Sequence, residues 1–368
     1  MKQLLYHIFA FFCNLSGRLF RVKETRAAFI SMHNEQMRDS LGAVRDEMQR
    51  RGFETVTLTR RDLSPRHPLL VLRFFLVRAR QLATAQYIFL NDNFMPLGLL
   101  QLRDTQIVTQ LWHAEGAFKK FGLSIEQPPA VRAREQAGNG KLTWVVCSSK
   151  RVVPIYAEAF GVLQARVLPL GAPRMDALLR PNGEAEARTA LEDAFPQLKG
   201  KTLVLYAPTF RDDEAQNETM LRQIDMAAFH RELGNSFTLL LRLHPQIRPA
   251  DRALDGAVDV TDWPDAAALV QSCDVLVTDY SSICMTAALL GKKTVFFAYD
   301  LQQYREKRDF YFDYESYVPG AVASTFDELL TAIVSPADPE KAALFCSFNF
   351  DFHDSANTAR VLDAIVKK

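Results

Sequence analysis

The sequence lacks the cysteine patterns that mark zinc sites and disulfide frameworks. Its five cysteines are scattered over 368 residues, odd in number and without a Cys-x-x-Cys pair, whereas zinc ligands and redox motifs are usually paired at close spacing. We therefore expect no metal cluster and reduced thiols, as in a cytoplasmic protein.

Several catalytic signatures are also absent. The sequence has no Gly-x-x-x-x-Gly-Lys-[Ser/Thr] loop, no Gly-x-Gly-x-x-Gly after the first predicted strand and no Gly-x-Ser-x-Gly elbow. These absences argue against P-loop enzymes, simple dinucleotide enzymes and α/β-hydrolases. Because no recognisable aromatic and basic RNA-binding module is present either, we expect no nucleic-acid partner.

Long hydrophobic runs are missing, yet the N-terminus is apolar. Residues 3–15 are too short to span a bilayer, which takes about 20 residues, and most nearby positive charge follows the run, unlike in a signal peptide. The large apolar side chains from Leu4 to Leu19 fall on one helical face. We interpret residues 1–24 as an amphipathic helix in the membrane interface; docking on the protein's own core is the alternative.

Basic residues are concentrated in the first half of the chain. Residues 1–180 carry 26 Lys and Arg against 14 Asp and Glu, whereas residues 181–368 carry 18 against 29. Residues 60–80 alone hold six arginines around an apolar middle, which suits either a helix on anionic lipid or a partly buried helix with arginines reaching water. The basic half favours an anionic partner; a plain difference in composition between two domains is the alternative.

Alternating strand and helix patterns predict an α/β fold. Continuous apolar strands between helices are typical of parallel sheets covered on both faces, and the alternation restarts near residue 202. In such folds ligands bind at the carboxyl ends of the strands. We predict two doubly wound, Rossmann-like domains facing each other across a cleft, at 25–180 and 195–345, with the N-terminal helix at 1–24 and a closing helix at 346–368.

The strongest local signal is an apolar strand that ends in Thr-Asp-Tyr-Ser-Ser and enters a helix at once, at residues 275–291. A helix start offers free N–H groups to a phosphate, and serine hydroxyls add donors. Simple helix capping is the alternative interpretation. The candidate donor-binding residues here are Thr278, Asp279, Ser281 and Ser282.

Two other strand ends carry basic side chains. Arg242 and His244 alternate at a strand end, so they point the same way, and such a pair can hold a diphosphate. Arg211 follows another strand and is a candidate phosphate clamp. A structural histidine at 244 is the alternative.

The basic half contributes His113, which directly follows a predicted strand. A histidine placed there suits a general base that activates a hydroxyl group; a buried histidine bonded to the backbone is the alternative. Glu115, Lys119 and Lys120 lie in the same loop and are the candidate acceptor-side residues.

Taken together, these motifs resemble the CDP-glycerol glycerophosphotransferases of teichoic-acid and capsule synthesis. The resemblance rests on QLWHAEGAFKKFG (110–122), LYAPTFRDD (205–213), LRLHP (241–245), the segment from 274 that contains TDYSS, and HDSANTAR (353–360). It implies a glycosyltransferase-B-like (GT-B-like) fold, essential histidines at His113 and His244, and a CDP-glycerol site in the second domain with Arg360 from the closing element. The closing element has Ser355 where the family has Gly and Asn357-Thr358 where it has Ala-Ser, and the first loop has Glu115 where small residues are usual.

The resemblance further implies the reaction. We expect transfer of glycerol phosphate from CDP-glycerol to a lipid- or linker-attached glycan, with release of CMP, as a single addition of the priming kind. A cytoplasmic protein, peripheral on the inner face of the bacterial membrane, is expected, without a cofactor; Asp212, Asp213 and Asp279 leave Mg²⁺ open. The alternatives are a CDP-ribitol transferase, a nucleotide-sugar GT-B glycosyltransferase and an inactive membrane scaffold.

Overall fold

A computed structural model of the chain describes residues 2–32, 37, 39–63, 68–211, 214–244, 247 and 254–367. The chain divides into two compact units, Met1–Asp176 together with Phe350–Lys368, and Ala177–Asn349. The sequence predicts the break between 180 and 195, and it treats the closing segment separately. In the structure residues 350–368 of that segment belong to the first unit.

The first unit contains a parallel six-stranded sheet in the order β2-β1-β3-β4-β5-β6. Each strand lies close to a predicted apolar run, because buried strands between helices read as continuous apolar segments. The strands are β1 (Lys23–Ser31), β2 (Glu54–Thr59), β3 (Ala85–Leu90), β4 (Ile107–Gln110), β5 (Trp144–Cys147) and β6 (Val167–Pro169).

Helices cover this sheet and include the last helix of the chain. Val361, Leu362 and Ile365 of that helix are buried in one core cluster with Ala27 and Phe29 of β1, which explains why the closing segment belongs here. The helices are α1 (Lys2–Leu19), α2 (Asp39–Arg50), α3 (Pro68–Arg73), a π-helix (Phe74–Arg78), α4 (Ala79–Ala83), α5 (Pro129–Asn139), α6 (Val153–Phe160) and the closing helix (Asn357–Ile365).

Helix α1 docks on its own unit through one face and exposes the other. Phe9 and Cys13 are buried, and the Phe9 ring stacks on Phe74 of the π-helix with centroids 4.5 Å apart. Leu4 and Phe11 are more than 60% exposed. No helix among the described residues is long and apolar enough to cross a membrane.

The second unit contains another parallel six-stranded sheet, in the order β12-β11-β10-β7-β8-β9. Successive residues of its central strand β7 lie in two different core clusters, Val204 and Tyr206 in one and Leu203 and Leu205 in the other. Both faces are therefore covered, as the apolar strands predict. The strands are β7 (Thr202–Tyr206), β8 (Phe237–Leu241), β9 (Val258–Asp259), β10 (Val275–Thr278), β11 (Lys293–Phe297) and β12 (Ala321–Ala323).

Helices of the second unit lie before the first of these strands, between them and after the last. They are α7 (Gly183–Ala194), α8 (Glu214–Arg222), α9 (Met226–Leu233), α10 (Ala266–Ser272), α11 (Ile283–Leu289), α12 (Leu301–Lys307), α13 (Tyr314–Tyr317), α14 (Phe326–Val334) and α15 (Pro339–Asn349), so the closing helix of the first unit is α16. The α/β class with two parallel sheets is confirmed.

Candidate active site

His113 is presented by a tightly held loop after β4. The residue is exposed although Leu111, Trp112 and Glu115 around it are buried. Of the predicted alternative, a buried histidine bonded to the backbone, only the backbone bond is observed. Ring atom Nδ1 lies 3.1 Å from the carbonyl oxygen of Asn91. Because a carbonyl only accepts hydrogen bonds, Nδ1–H is the donor in this contact, and in the neutral imidazole the lone pair then lies on Nε2. A lone pair on an exposed imidazole is what a general base needs.

The residue before His113 has a strained backbone. Trp112 has a φ of 58°, a left-handed conformation that is unusual for a bulky side chain and costs about 1–3 kcal/mol. The indole of Trp112 stacks on Phe121 at 5.0 Å between centroids and meets Phe160 edge-on at 5.2 Å. Strain of this kind persists only where surrounding contacts hold it, and it concentrates at functional sites.

The rest of the loop is anchored by side chains that follow β5, lie in α6 and follow β6. The amide of Gly116 donates to Ser148 Oγ at 3.0 Å, and the Tyr156 hydroxyl donates to the carbonyl of Ala114 at 2.9 Å. Glu115 is 6% exposed, and both its carboxylate oxygens accept from the guanidinium of Arg174. Glu115 therefore anchors the loop through Arg174. Because both of its oxygens are used in this ion pair, the structure does not support the predicted contact between Glu115 and the acceptor substrate. Lys119 and Lys120 are half-buried in the same loop.

The loop after β10 is held from below by Asp279. Its carboxylate, 1% exposed, accepts from the amides of Thr209 at 2.7 Å and Tyr280 at 2.5 Å. Thr278 is completely buried, and its hydroxyl donates to the carbonyl of Ala207 at 2.7 Å. Thr278 and Asp279 therefore hold the ends of β7 and β10 together, rather than offering groups to a ligand.

Ser281 and Ser282 are the half-buried members of this loop. Ser281 Oγ accepts from the amide of Ile283 at 3.4 Å, and Ser282 precedes α11 without a side-chain capping bond. Of the four residues predicted at this strand end, these two have the partial exposure that a ligand contact requires.

Arg211 is the centre of a buried ion-pair network. Its guanidinium donates to Asp300 through Nε and Nη2, both at 3.0 Å, to Asp279 through Nη2 at 2.9 Å, and to the carbonyl of Thr209 through Nη1 at 2.6 Å. Burial opposes the charge, yet the two carboxylates outweigh it and raise the pKa of Arg211. Four of its five N–H groups are thus used within the protein, which makes it a support for the loop instead of the predicted phosphate clamp.

Aromatic rings complete this network. The Tyr280 hydroxyl donates to Asp300 at 2.9 Å, its ring stacks on Tyr304 at 3.8 Å, and the Tyr314 hydroxyl donates to the carbonyl of Asp279 at 3.0 Å. Burial is the main reason why the pKa of Tyr304 rises to about 12. The sequence marks Tyr280 only as part of the Thr-Asp-Tyr-Ser-Ser motif, and it indicates no role for Asp300.

Arg242 and His244 follow β8 but have different environments. Arg242 donates through Nη1 to the carbonyls of Val260, Thr261 and Trp263 at 2.8–3.3 Å, so one of its nitrogens braces the chain after β9. His244 is exposed, and its ring lies 5.1 Å from that of Phe210. Although the residue is exposed, desolvation of its ring lowers the pKa of His244 from its ordinary value, which favours the neutral ring, whereas a bound anion would favour the imidazolium.

Arg360 belongs to the first unit, whereas the other candidate donor-binding residues belong to the second. Its Nη2 donates to both oxygens of Asp354 at 2.7 and 2.8 Å, and its guanidinium lies 3.5 Å from the ring centre of Phe352. These contacts fasten the closing segment. No group of three or more His, Cys, Asp or Glu within the described ranges is arranged to hold a metal ion, and Asp212 and Asp213 lie outside those ranges.

Comparisons with known proteins agree on one family. The family model described as CDP-Glycerol:Poly(glycerophosphate) glycerophosphotransferase matches residues 11–367. A teichoic acid poly(ribitol-phosphate) polymerase of Bacillus spizizenii is 32% identical over 95% of this chain, which spans 57% of that protein. A teichoic acid ribitol-phosphate primase of the same organism is 29% identical over 99% of this chain and 97% of its own length.

Two further similarities concern glycerol phosphate and the fold. A teichoic acid glycerol-phosphate primase of Bacillus subtilis is 27% identical over 79% of this chain and 76% of its own length. A solved structure of the wall teichoic acid polymerase TagF has a TM-score of 0.76 and 20% identity, covering 98% of this chain and 93% of that one. At this identity the likeness to TagF concerns the fold.

Proposed function

Because the chain belongs to the CDP-glycerol:poly(glycerophosphate) glycerophosphotransferase family, we propose that it transfers glycerol phosphate from CDP-glycerol to a hydroxyl of a membrane-linked glycan in teichoic-acid or capsule synthesis. CMP is the second product, and one unit is added per acceptor. The exposed His113, with its lone pair on Nε2, is the observation that supports this function most directly.

The proposed reaction begins with proton removal. His113 Nε2 takes the proton of the acceptor hydroxyl, whose oxygen attacks the phosphorus that carries glycerol. The bond from this phosphorus to the bridging oxygen breaks, and CMP leaves with the bonding electrons. Such transfers depend mainly on positioning and on stabilisation of the charge on phosphoryl oxygens.

The second unit supplies the proposed diphosphate contacts. Ser281 and Ser282 offer hydroxyl donors from a loop that Asp279 and Arg211 hold in place. His244 is neutral without an anion, so it acts first as a hydrogen-bond donor; a bound diphosphate raises its pKa and favours the imidazolium. Arg242 supports this contact from the same strand end.

Donor choice is the first matter to test. Two relatives that match nearly all of this chain are named for ribitol phosphate, which makes CDP-ribitol the second candidate donor. The whole chain is incubated with CDP-glycerol, CDP-ribitol or UDP-sugars and a synthetic lipid-linked glycan, and the product is weighed by mass spectrometry. A product heavier by one glycerol phosphate, with equimolar CMP, supports the proposal. Ribitol phosphate on the product selects the second candidate, and no nucleotide release from any donor indicates an inactive scaffold.

Membrane association is part of the proposal. The exposed face of α1 and the exposed leucines of α3, Leu69 and Leu72, belong to one unit, and Leu69 is 81% exposed. Arg18 and Arg73 are exposed on the same helices, and basic side chains beside apolar ones favour anionic lipid surfaces. We therefore place the protein on the inner face of the cell membrane, where a lipid-linked acceptor is within reach.

A further inference from the structure

The loop that presents His113 is braced at the carboxyl end of β4 by one buried amide. Gln110 is 1% exposed. Its Oε1 accepts from the amide of Trp112 at 3.0 Å, and its Nε2 donates to the carbonyl of Asp92 at 3.2 Å. Asp92 directly follows Asn91, whose carbonyl accepts from His113. Gln110 therefore holds the backbone amide of Trp112, the residue before His113. It also holds the loop at Asp92, which carries the Asn91 carbonyl that His113 contacts.

The ring of Trp112 contacts the imidazole from another side. Consecutive side chains in extended backbone point to opposite faces, yet the rings of Trp112 and His113 lie 4.0 Å apart between centroids, at 36°. The left-handed φ of Trp112 allows this meeting. Because the indole is itself packed on Phe121 and Phe160, it gives His113 a rigid surface to rest on.

From these contacts we propose that Gln110 and Trp112 are positioning residues. They keep Nδ1–H of His113 hydrogen-bonded to the Asn91 carbonyl, so that the lone pair of the neutral ring stays on Nε2. The amide of Gln110 accepts from one loop through its oxygen and donates to the other through its nitrogen. Without either brace, the imidazole turns about its side-chain bonds, and the proton distributes between the two nitrogens. The effect on turnover rests on the proposed function, whereas the effect on the tautomer does not.

The chain offers a matched control at the other end of β4. Gln106 is 7% exposed and bridges two segments in the same way, accepting from the Arg103 amide at 3.1 Å and donating to the Ala85 carbonyl at 2.8 Å. Gln110→Met and Gln106→Met remove equivalent bonds at similar volume. Trp112→Phe keeps a ring against His113, whereas Trp112→Gly relaxes the strain and removes the ring.

The test measures the tautomer of His113 in the whole chain labelled with ¹⁵N-histidine. The His113 signals are assigned by their loss in His113→Gln. We expect a single Nδ1-protonated form in the wild type, Gln106→Met and Trp112→Phe, and mixed tautomers in Gln110→Met and Trp112→Gly. In parallel, kcat for the transfer falls about tenfold or more in the last two, with KM for the donor unchanged, the usual direction for a displaced catalytic group.

The two readouts separate the two ideas. An unchanged tautomer and unchanged kcat in Gln110→Met and Trp112→Gly overturn the positioning role. A mixed tautomer with unchanged kcat supports the positioning role and contradicts His113 as the general base. If Gln110→Met fails to fold, the pair Trp112→Gly and Trp112→Phe decides between the same outcomes.

Discussion

Replacing Asp300 by asparagine tests whether the buried ion-pair network holds the loop after β10. The Asp300 carboxylate accepts two bonds from Arg211 at 3.0 Å and one from the Tyr280 hydroxyl at 2.9 Å. Asparagine keeps the shape, but its amide group brings a donor against a guanidinium donor and removes one negative charge. The side chains of Arg211 and Asp300 are 4% and 16% exposed, so water replaces the lost bonds poorly.

The expected cost follows from this geometry. Breaking a buried ion pair costs about 3–5 kcal/mol, and the lower end applies because Asp279 still pairs with Arg211 at 2.9 Å. For a unit of this size, 1 kcal/mol lowers the melting temperature by about 2–4 °C. We therefore expect the unfolding transition of the second unit to move down by about 6–12 °C.

Calorimetry of the whole chain measures this shift, and hydrogen exchange locates it. The amides of Thr209 and Tyr280 should lose protection, since both bond to the carboxylate that Arg211 holds. Asp193→Asn is the control, because Asp193 pairs with Lys199 at 3.7 Å with both side chains more than 60% exposed, and such surface pairs contribute about 0–1 kcal/mol. An Asp300→Asn protein that melts and exchanges like Asp193→Asn would refute the role given to the network.

Two more results are expected. The pKa of His244 is lowered in the free protein, and a bound diphosphate raises it, so donor binding takes up a proton. The affinity for CDP-glycerol, measured by calorimetry, should therefore increase as the pH falls from 8 to 6. A His244→Gln protein that keeps this pH dependence would contradict the contact between His244 and the diphosphate. The partition coefficient onto anionic vesicles, measured by sedimentation, should fall about a hundredfold or more in Leu4→Ser/Phe11→Ser, since burying each large apolar side chain contributes about 1.5–3 kcal/mol. It should not fall in Leu344→Ser, a control on the second unit that is 68% exposed. Equal losses in both proteins would argue against the α1 face as the lipid-binding surface.

Strand positions are the part of the fold that the sequence reveals best. The apolar strand predicted from residue 275 is observed as β10, and the alternation predicted to restart near residue 202 begins with β7, because a strand covered on both faces must be apolar throughout. The unit boundary is harder to predict. The closing helix α16 joins the first unit because Val361 and Leu362 pack with Ala27 and Phe29 of β1. An apolar stripe shows that a helix is covered, but it does not show which distant strand covers it.

At the candidate site, too, the sequence does not show which distant residues contact each other. His113 follows a strand, so its place at the carboxyl edge of the sheet could be predicted from local pattern alone. Arg211 and Asp300 are 89 positions apart, and Glu115 and Arg174 are 59 apart. Sequence reasoning recognises such residues as chemically capable, but only the folded chain shows that their charges are satisfied by each other. For this reason the sequence predicts ligand contacts for Arg211 and Glu115, whereas the structure shows ion pairs within the protein.

The most direct test of the general-base role compares His113→Ala with the wild type at saturating CDP-glycerol. CMP release and acceptor mass are followed in single-turnover reactions, and donor affinity is measured separately by calorimetry. Loss of a general base costs about a hundredfold or more, so we expect a rate reduced by at least that factor with donor affinity unchanged. Transfer at the wild-type rate in His113→Ala would contradict the account.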